Sequence, residues 1–455
     1  MDAPLSLTPF EEYMLLDDRH DYPMSVFARL RFDGRVDFLT AQAAYDEVVA
    51  RHPFCRSRVI TGTRGQRQWA AAENAAGFRV DASCSDEAFP LPMPIDLRKD
   101  PGFQVTVGCD GQGSTVVFRV HHACSDGIGL LQIIEDWLLS YDRLVRQRRG
   151  AAALRAVDTS RLPLRNRCLA RGGRWAAHLR HHMHGLERIR KFFVHRPIRL
   201  LTKPLAVFSK AAEPRAAFPA MLGSSLDAVE FQSLHADARR QGVTLNTMFL
   251  RDLFVSLAAF QAHNEPTSDR AWLRIAVPIN MRTGADQTMP AANQVSMVFL
   301  DRRPCDMFNS ARLLDGLHKE MQVIKQNDLG LTFLLSLQML RLVPGGLSLA
   351  VAGSDCSATC VLSNLGEPLK DVPLPRLGGK LQAGNMSLES FDFLPPVRPG
   401  TAAAFGIFSY AGELRISLHY DSRSLSVPQA EQLLDVFTAQ LNRQSRQAVF
   451  SLAAG

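Results

Sequence analysis

A histidine pair and an aspartate stand where one hydrophobic period gives way to another, and that junction constrains this chain more than any other stretch. Upstream, Ser114 to Val120 reads STVVFRV, a β-branched and aromatic run entered through Gly111-Gln112-Gly113, as a strand requires. Downstream of Gly127, the residues Leu130, Ile133, Ile134, Trp137, Leu138, Tyr141, Leu144 and Val145 recur at helical spacing, so an amphipathic helix is expected. Between them lie His121, His122 and Asp126, held by secondary structure on both sides. That placement suits proton transfer, because a general base must lie within about 3 Å of the proton it takes. In a strand the two adjacent histidines point to opposite faces, so one is expected to face a cavity and the other to pack behind it.

At 455 residues the chain is too long for one ordinary core, and two domains of about 200 residues each are expected. With 46% hydrophobic and 21% charged residues it has the composition of a folded chain and not of a disordered one. The start, Met1-Asp2-Ala3-Pro4 followed by Glu11 and Glu12, lacks the basic and apolar regions of a secretory signal, so a cytoplasmic protein is expected. The longest apolar stretch, Leu331 to Val351, is interrupted by Arg341 and Pro344; it reads as buried protein or as a membrane-facing surface.

Eight scattered cysteines fit reduced thiols in a large chain that needs no disulfide staples. Cys356 and Cys360 are the only close pair, and no second pair or nearby histidine completes a metal site, so no metal is expected.

The remaining pattern alternates strand and helix. Phe27 to Phe32 and Val105 to Val107 read as strands, the latter forming a hairpin with Ser114 to Val120 through a turn at Cys109 to Gly113. Leu39 to Val49 reads as a helix opening near Asp37. Further strands are expected at Leu273 to Val277, Val295 to Leu300, Cys360 to Leu362, Phe405 to Tyr410 and Leu414 to Tyr420, with helices near 244–261, 309–325 and 428–442. A connector separates the halves. From Arg161 to Lys203 there are twelve Lys/Arg residues and one acid, Glu187, a local charge of +11 against +7 for the whole chain. Within it Trp175, Leu179, Met183, Leu186, Ile189 and Phe193 recur every three or four residues, giving one apolar stripe on a cationic helix. Such a helix either packs with its arginines in solvent or lies on an anionic membrane surface. No nucleic-acid-binding module accompanies the charge, and no nucleic-acid partner is expected.

The string His121-His122-x-x-x-Asp126-Gly127 resembles the HHxxxDG signature of the CoA-dependent acyltransferase superfamily. The resemblance extends along most of the chain: Leu7-Thr8-Pro9, Arg51-His52-Pro53, Ile95-Asp96-Leu97, Thr244-Leu245-Asn246-Thr247, Val277 to Arg282, Asn293-Gln294-Val295-Ser296 and Leu362 to Gly366 fall in the family's order. The last two segments resemble the bacterial wax ester synthase/diacylglycerol acyltransferase and polyketide-associated branches. The chain departs from the first of these at two places: Ala292 occupies the usual glycine position, and the proline-tryptophan element before the motif strand is absent. The resemblance implies an α/β fold of two chloramphenicol-acetyltransferase-like halves with mixed sheets and an active-site channel at their interface. The expected division is 1–160 for the half bearing the motif, 161–212 for the basic connector and 213–455 for the second half.

The same resemblance implies a role for each site residue. His122 is the general base that accepts a proton from an acceptor as it attacks an acyl thioester, with no acyl-enzyme. Asp126 turns away from the base and pairs with Arg282, while Gly127 allows close approach. Ser363 is the candidate donor to the developing oxyanion with Asn364 in support; Ser296 is a weaker candidate, Asn293 shapes the channel and His121 sits behind the base. No cofactor is expected to be bound permanently; acyl-CoA is a co-substrate, and no motif assigns the residues that hold it. The expected reaction is acyl transfer from acyl-CoA to a hydroxyl of a hydrophobic acceptor, with a medium or long chain on the acceptor or the acyl group. The alternatives are a carrier-protein-dependent condensation enzyme forming amides or esters, and a non-catalytic binding protein. Expected partners are therefore acyl-CoA or an acyl carrier protein, a hydrophobic alcohol or amine, and an anionic membrane surface at the inner face, for a monomer or weak dimer.

Overall fold

The strand that carries the histidines, Gly113–His121, lies inside a sheet ordered, from one edge, Arg376–Leu377, Lys380–Ala383, Met386–Leu394, Ser25–Asp33, Gly113–His121, Phe103–Cys109 and Phe78–Val80. The structure is a computed structural model that describes residues 4–63, 65–72, 77–81, 94–109, 113–146, 153–168, 179–201, 218–266, 268–353 and 355–453. The pairings are antiparallel except Phe78–Val80 with Phe103–Cys109, so the sheet is mixed. Its central strands are buried on both faces, which is why STVVFRV reads as a continuous apolar run and not as an alternation. The hairpin turn expected at 110–112 lies outside the described residues.

A second sheet runs Val295–Arg302, Leu273–Asn280, Cys360–Gly366, Ala403–Tyr410, Glu413–Tyr420 and Ala220–Leu226. Cys360–Gly366 is parallel to both neighbours, and the rest pair antiparallel. The helices follow the local signals. Asp37 caps Phe38–Arg51 by accepting from the Thr40 amide at 2.8 Å, and Thr8 with Glu11 forms a reciprocal capping box on Pro9–Asp17. In Gly127–Arg146 the residues Leu130, Ile133, Ile134, Trp137, Leu138 and Tyr141 are fully buried, as their spacing demands.

The division of the chain at residue 213 is not matched by a division of the sheets. Strands Arg376–Leu377, Lys380–Ala383 and Met386–Leu394 come from the second half in sequence but complete the sheet of the first, Met386–Leu394 pairing along Ser25–Asp33. Helices Gly330–Leu342 and Gly346–Ala352 likewise send Leu334, Leu337, Leu347 and Val351 into the core built around the first sheet. The first lobe is thus closed by chain from both halves, whereas every strand of the second sheet lies after residue 213. No single described helix is long and apolar enough to cross a membrane; Ala228–Arg240 with Leu245–Asn264, and Gly330–Leu342 with Gly346–Ala352, meet the length and composition only as sharply bent pairs.

The basic connector forms a helix, Leu179–Val194, that crosses the second lobe. Arg274 secures its end, donating to the carbonyls of Phe192 at 3.2 Å and His195 at 2.8 Å while pairing with Asp301 at 2.6 Å. Midway, Arg188 reaches Glu320 at 3.0 Å. Three residues of the apolar stripe expected to pack or to meet a membrane face outward, Met183, Leu186 and Phe193 being 66%, 64% and 71% exposed, while Ile189 is half-buried. Trp175 and the Leu179 side chain lie outside the described residues.

Candidate active site

Hydrogen bonds fix the motif loop before any side chain does chemistry. The His122 amide donates to the Met24 carbonyl at 2.6 Å, and Asn293 Nδ2 donates to the His122 carbonyl at 2.6 Å. Both faces of the His122 backbone are therefore held, one by the segment leading into Ser25–Asp33 and the other by the second half of the chain. His121 is buried behind, its Nδ1 accepting from the Ala123 amide at 3.1 Å. That places the ring proton on Nε2, which lies 3.6 Å from an Asp18 carboxylate oxygen.

Asp126 turns away from the imidazole. Its carboxylate accepts from Arg282 in a bidentate pair at 2.8 and 2.9 Å, from the Gly129 amide at 2.8 Å and from the Gln294 amide at 2.7 Å. Arg282 also donates to the Ala292 carbonyl at 2.8 Å. Both oxygens of the buried carboxylate are thus met by donors, and the pair ties the start of Gly127–Arg146 to the segment 280–294. Gly127 is required by close approach: a Cβ there would stand 2.9 Å from the Phe393 ring and 3.3 Å from Leu365.

His122 itself is partly exposed, with Phe10 edge-on at 6.3 Å between ring centres. Burial pulls its pKa below the ordinary 6.5, and backbone hydrogen bonding at His122 and Ser125 and the nearby Asp126 charge oppose that only in part. The imidazole is thus neutral near pH 7 and able to accept a proton.

Ser363 and Asn364 do not work together. Neighbours in a strand face opposite ways, and Leu362 points into the second core. Ser363 is paired in register with Gly406, so the two share a face. On that face a Cβ at Gly406 would meet the Phe393 carbonyl at 2.4 Å, and Phe393 is the ring that abuts Gly127. The buried Ser363 side chain thus projects to the side of the motif loop. Asn364 projects the other way, is exposed, and is engaged with Asn246 at 3.2 Å and with the Gly366 amide at 2.9 Å. It is not a supporting donor for Ser363. Ser296 is buried with its hydroxyl spent on the Gly330 carbonyl.

Several positioning groups have no local sequence signal: Met24, Asp18, Phe10 and Phe393 reach the loop only through long-range packing. A second tie lies on the far side of Gly127–Arg146, where buried His52 bonds Asp136 at 3.0 Å and accepts from the Ala291 amide at 2.9 Å. Among the described residues no three of His, Cys, Asp or Glu are grouped to hold a metal.

Residues 291–444 match the family model described as the WS/DGAT C-terminal domain. Over 143 residues the chain is 29% identical to the uncharacterized protein Rv2305 of Mycobacterium tuberculosis, a match that covers 30% of this chain and about a third, 32%, of that relative's length. Among solved structures, the first condensation domain of the CDA synthetase superposes with a TM-score of 0.69 at 16% identity, covering 98% of this chain and 96% of that one. The starter condensation domain of rhizomide synthetase in complex with C8-CoA gives 0.64 at 14% identity, covering 98% and 96%. Polyketide synthase associated protein 5 from Mycobacterium tuberculosis gives 0.61 at 13% identity, covering 98% and 100%. The chain thus has the two-lobed fold of condensation domains, with mixed sheets, and carries a WS/DGAT C-terminal domain over residues 291–444.

Proposed function

We propose that this protein is an acyltransferase that moves an acyl group from a pantetheine thioester to a nucleophilic hydroxyl or amine. The observation that carries the reading is His122: a neutral imidazole, partly open, on a backbone clamped by Met24 and Asn293 where the two halves of the chain meet. Its Nε2 accepts the acceptor's proton as the new C–O or C–N bond forms at the thioester carbonyl. Ser363 donates to the oxygen that becomes negative, and collapse of the intermediate expels the thiolate, which takes the proton back from the imidazolium. Asp126 and Arg282 position the loop and leave the imidazole free to act.

Two forms of the thioester have support. The WS/DGAT C-terminal match favours acyl-CoA and a hydroxyl of a hydrophobic acceptor. The full-length likeness to condensation domains weighs more heavily and favours a donor held on a carrier protein, with amide as well as ester products. Mass spectrometry of products from a panel of acyl-CoAs and acyl-carriers against alcohols and amines separates them. Turnover with acyl-carriers alone supports the condensation form, turnover with free acyl-CoA and alcohol supports the other, and binding of both partners without any product removes the enzymatic reading.

The outward stripe of Met183, Leu186 and Phe193 on a basic connector supports peripheral contact with an anionic lipid surface. Acceptor delivery from that surface fits a hydrophobic substrate.

A further inference from the structure

A cavity of about 1040 Å³ lies under the connector helix Leu179–Val194, bounded by strand Val295–Arg302 and by helices Ser310–Gln326 and Gly330–Leu342. From it we infer that this chamber receives the hydrocarbon chain of one of the two substrates, an inference that rests on the acyl-transfer reading above. Its size falls at the upper end for small-molecule sites.

Three observations assign it. The wall is apolar: Val298, Leu313, Leu329 and Leu337 are buried in it, and Phe299 and Phe333 present their rings. Most of the charged groups that line it are engaged with one another or with neighbours. Glu320 takes Arg188 and Arg302 at 3.0 and 2.9 Å, Asp301 takes His195 and Arg274, Glu187 takes Lys191, Asp315 takes Lys319, and Asp17 takes Arg398, while Arg312 also lines the space. The paired groups satisfy one another, and the apolar wall is what a saturated chain contacts.

The chamber also lies between the right places. Its inner end carries Tyr13 and Phe333, and Phe10 touches both Phe333, at 5.9 Å between ring centres, and His122, at 6.3 Å. One phenyl ring separates the chamber from the imidazole. Its outer end carries Phe193 and Phe308, 71% and 86% exposed, so the opening is rimmed by apolar surface. A substrate whose reacting carbonyl or hydroxyl sits at His122 enters the chamber by displacing the Phe10 ring, and its tail then runs along Phe333 and outward beneath the connector.

Gly316 gives a clean way to close the space. It lines the chamber from a helix, and a Cβ there would meet only the end of the Arg302 side chain, at 3.9 Å. Gly316→Phe therefore fills the cavity without backbone strain; Ser336→Phe fills it from the opposite helix. Binding is measured by calorimetry on the intact protein, one substrate at a time, so the outcome does not depend on whether His122 is a base. Each buried methylene multiplies affinity by about fourfold, so hexadecanoyl-CoA binds the unmodified protein far more tightly than butanoyl-CoA. Both variants lower the hexadecanoyl-to-butanoyl affinity ratio by about tenfold or more if the donor's chain occupies the chamber. If the acceptor's chain does, they weaken hexadecanol against butanol instead. Variants that remain folded by circular dichroism and leave both ratios unchanged overturn the assignment.

Discussion

The motif loop and the connector helix invert the usual partition of residues in opposite directions. At residues 121–127 the chain buries an aspartate and a histidine inside apolar surroundings, pairs the aspartate with the half-buried Arg282, and surrounds the carboxylate with donors. At Leu179–Val194 it turns Arg188 inward to Glu320 and leaves Met183, Leu186 and Phe193 in solvent. The first inversion is internally satisfied and makes a rigid loop. The second has no apolar cover among the described residues. On the proposed reading, rigidity serves a proton transfer at fixed distance, and the exposed apolar surface serves the arrival of a lipid.

Asp126 is where the contrast between the two regions is most easily broken. Replacing it with alanine strands Arg282 and the Gly129 and Gln294 amides, and should cost about 3–5 kcal/mol in unfolding free energy. Chemical denaturation measures this; a loss of activity with unchanged stability would remove the structural role given to the pair. Next comes Ser363. Ser363→Ala should raise the barrier by about 3–4 kcal/mol, seen in kcat and not in KM, whereas a change confined to KM would argue against contact with the oxyanion.

The buried histidines add a pH signature. Burial pulls His419 from 6.5 down to about 4 and lowers His52 and His122 as well, so the unfolded chain takes up these protons at higher pH than the folded one. Their contribution is present above pH 6.5 and is lost as pH falls toward the folded values, for His419 roughly 3 kcal/mol across the interval. The thermal midpoint should fall between pH 7 and pH 5, less steeply in His419→Gln; equal slopes would show that His419 is not held neutral. The smallest effect sharpens the connector side. Serine at Met183, Leu186 and Phe193 should each change stability by no more than about 0.5 kcal/mol, while together they abolish sedimentation with anionic liposomes. A loss of several kcal/mol would mean that this face packs against protein.

Legibility in the sequence follows the range of the interaction. Helix Gly127–Arg146 and the cap at Asp37 are local, and their periodicity and capping chemistry are readable within a few residues. The strands at 376–394 escape such a reading because Arg376–Leu377 and Lys380–Ala383 are short, because glycines in left-handed turns, Gly378, Gly379 and Gly384, separate the three, and because Ser25–Asp33, the partner of Met386–Leu394, lies over 350 residues away. The Asp126–Arg282 pair spans 156 positions and is legible only through resemblance to a family. Adjacency misplaces Asn364: being next to Ser363 in a strand puts it on the other face. For the connector, the spacing identifies a helix with one apolar side, but nothing in spacing states whether that side turns in or out.

The central claim is that His122 removes the acceptor's proton. The direct measurement is the rate of thioester consumption by His122→Ala against the unmodified protein, with an acceptor found active in the product panel and folding confirmed by circular dichroism. A general base at this position predicts a fall of about 10²–10⁴-fold with the thermal midpoint preserved. Undiminished turnover by the folded variant would contradict it.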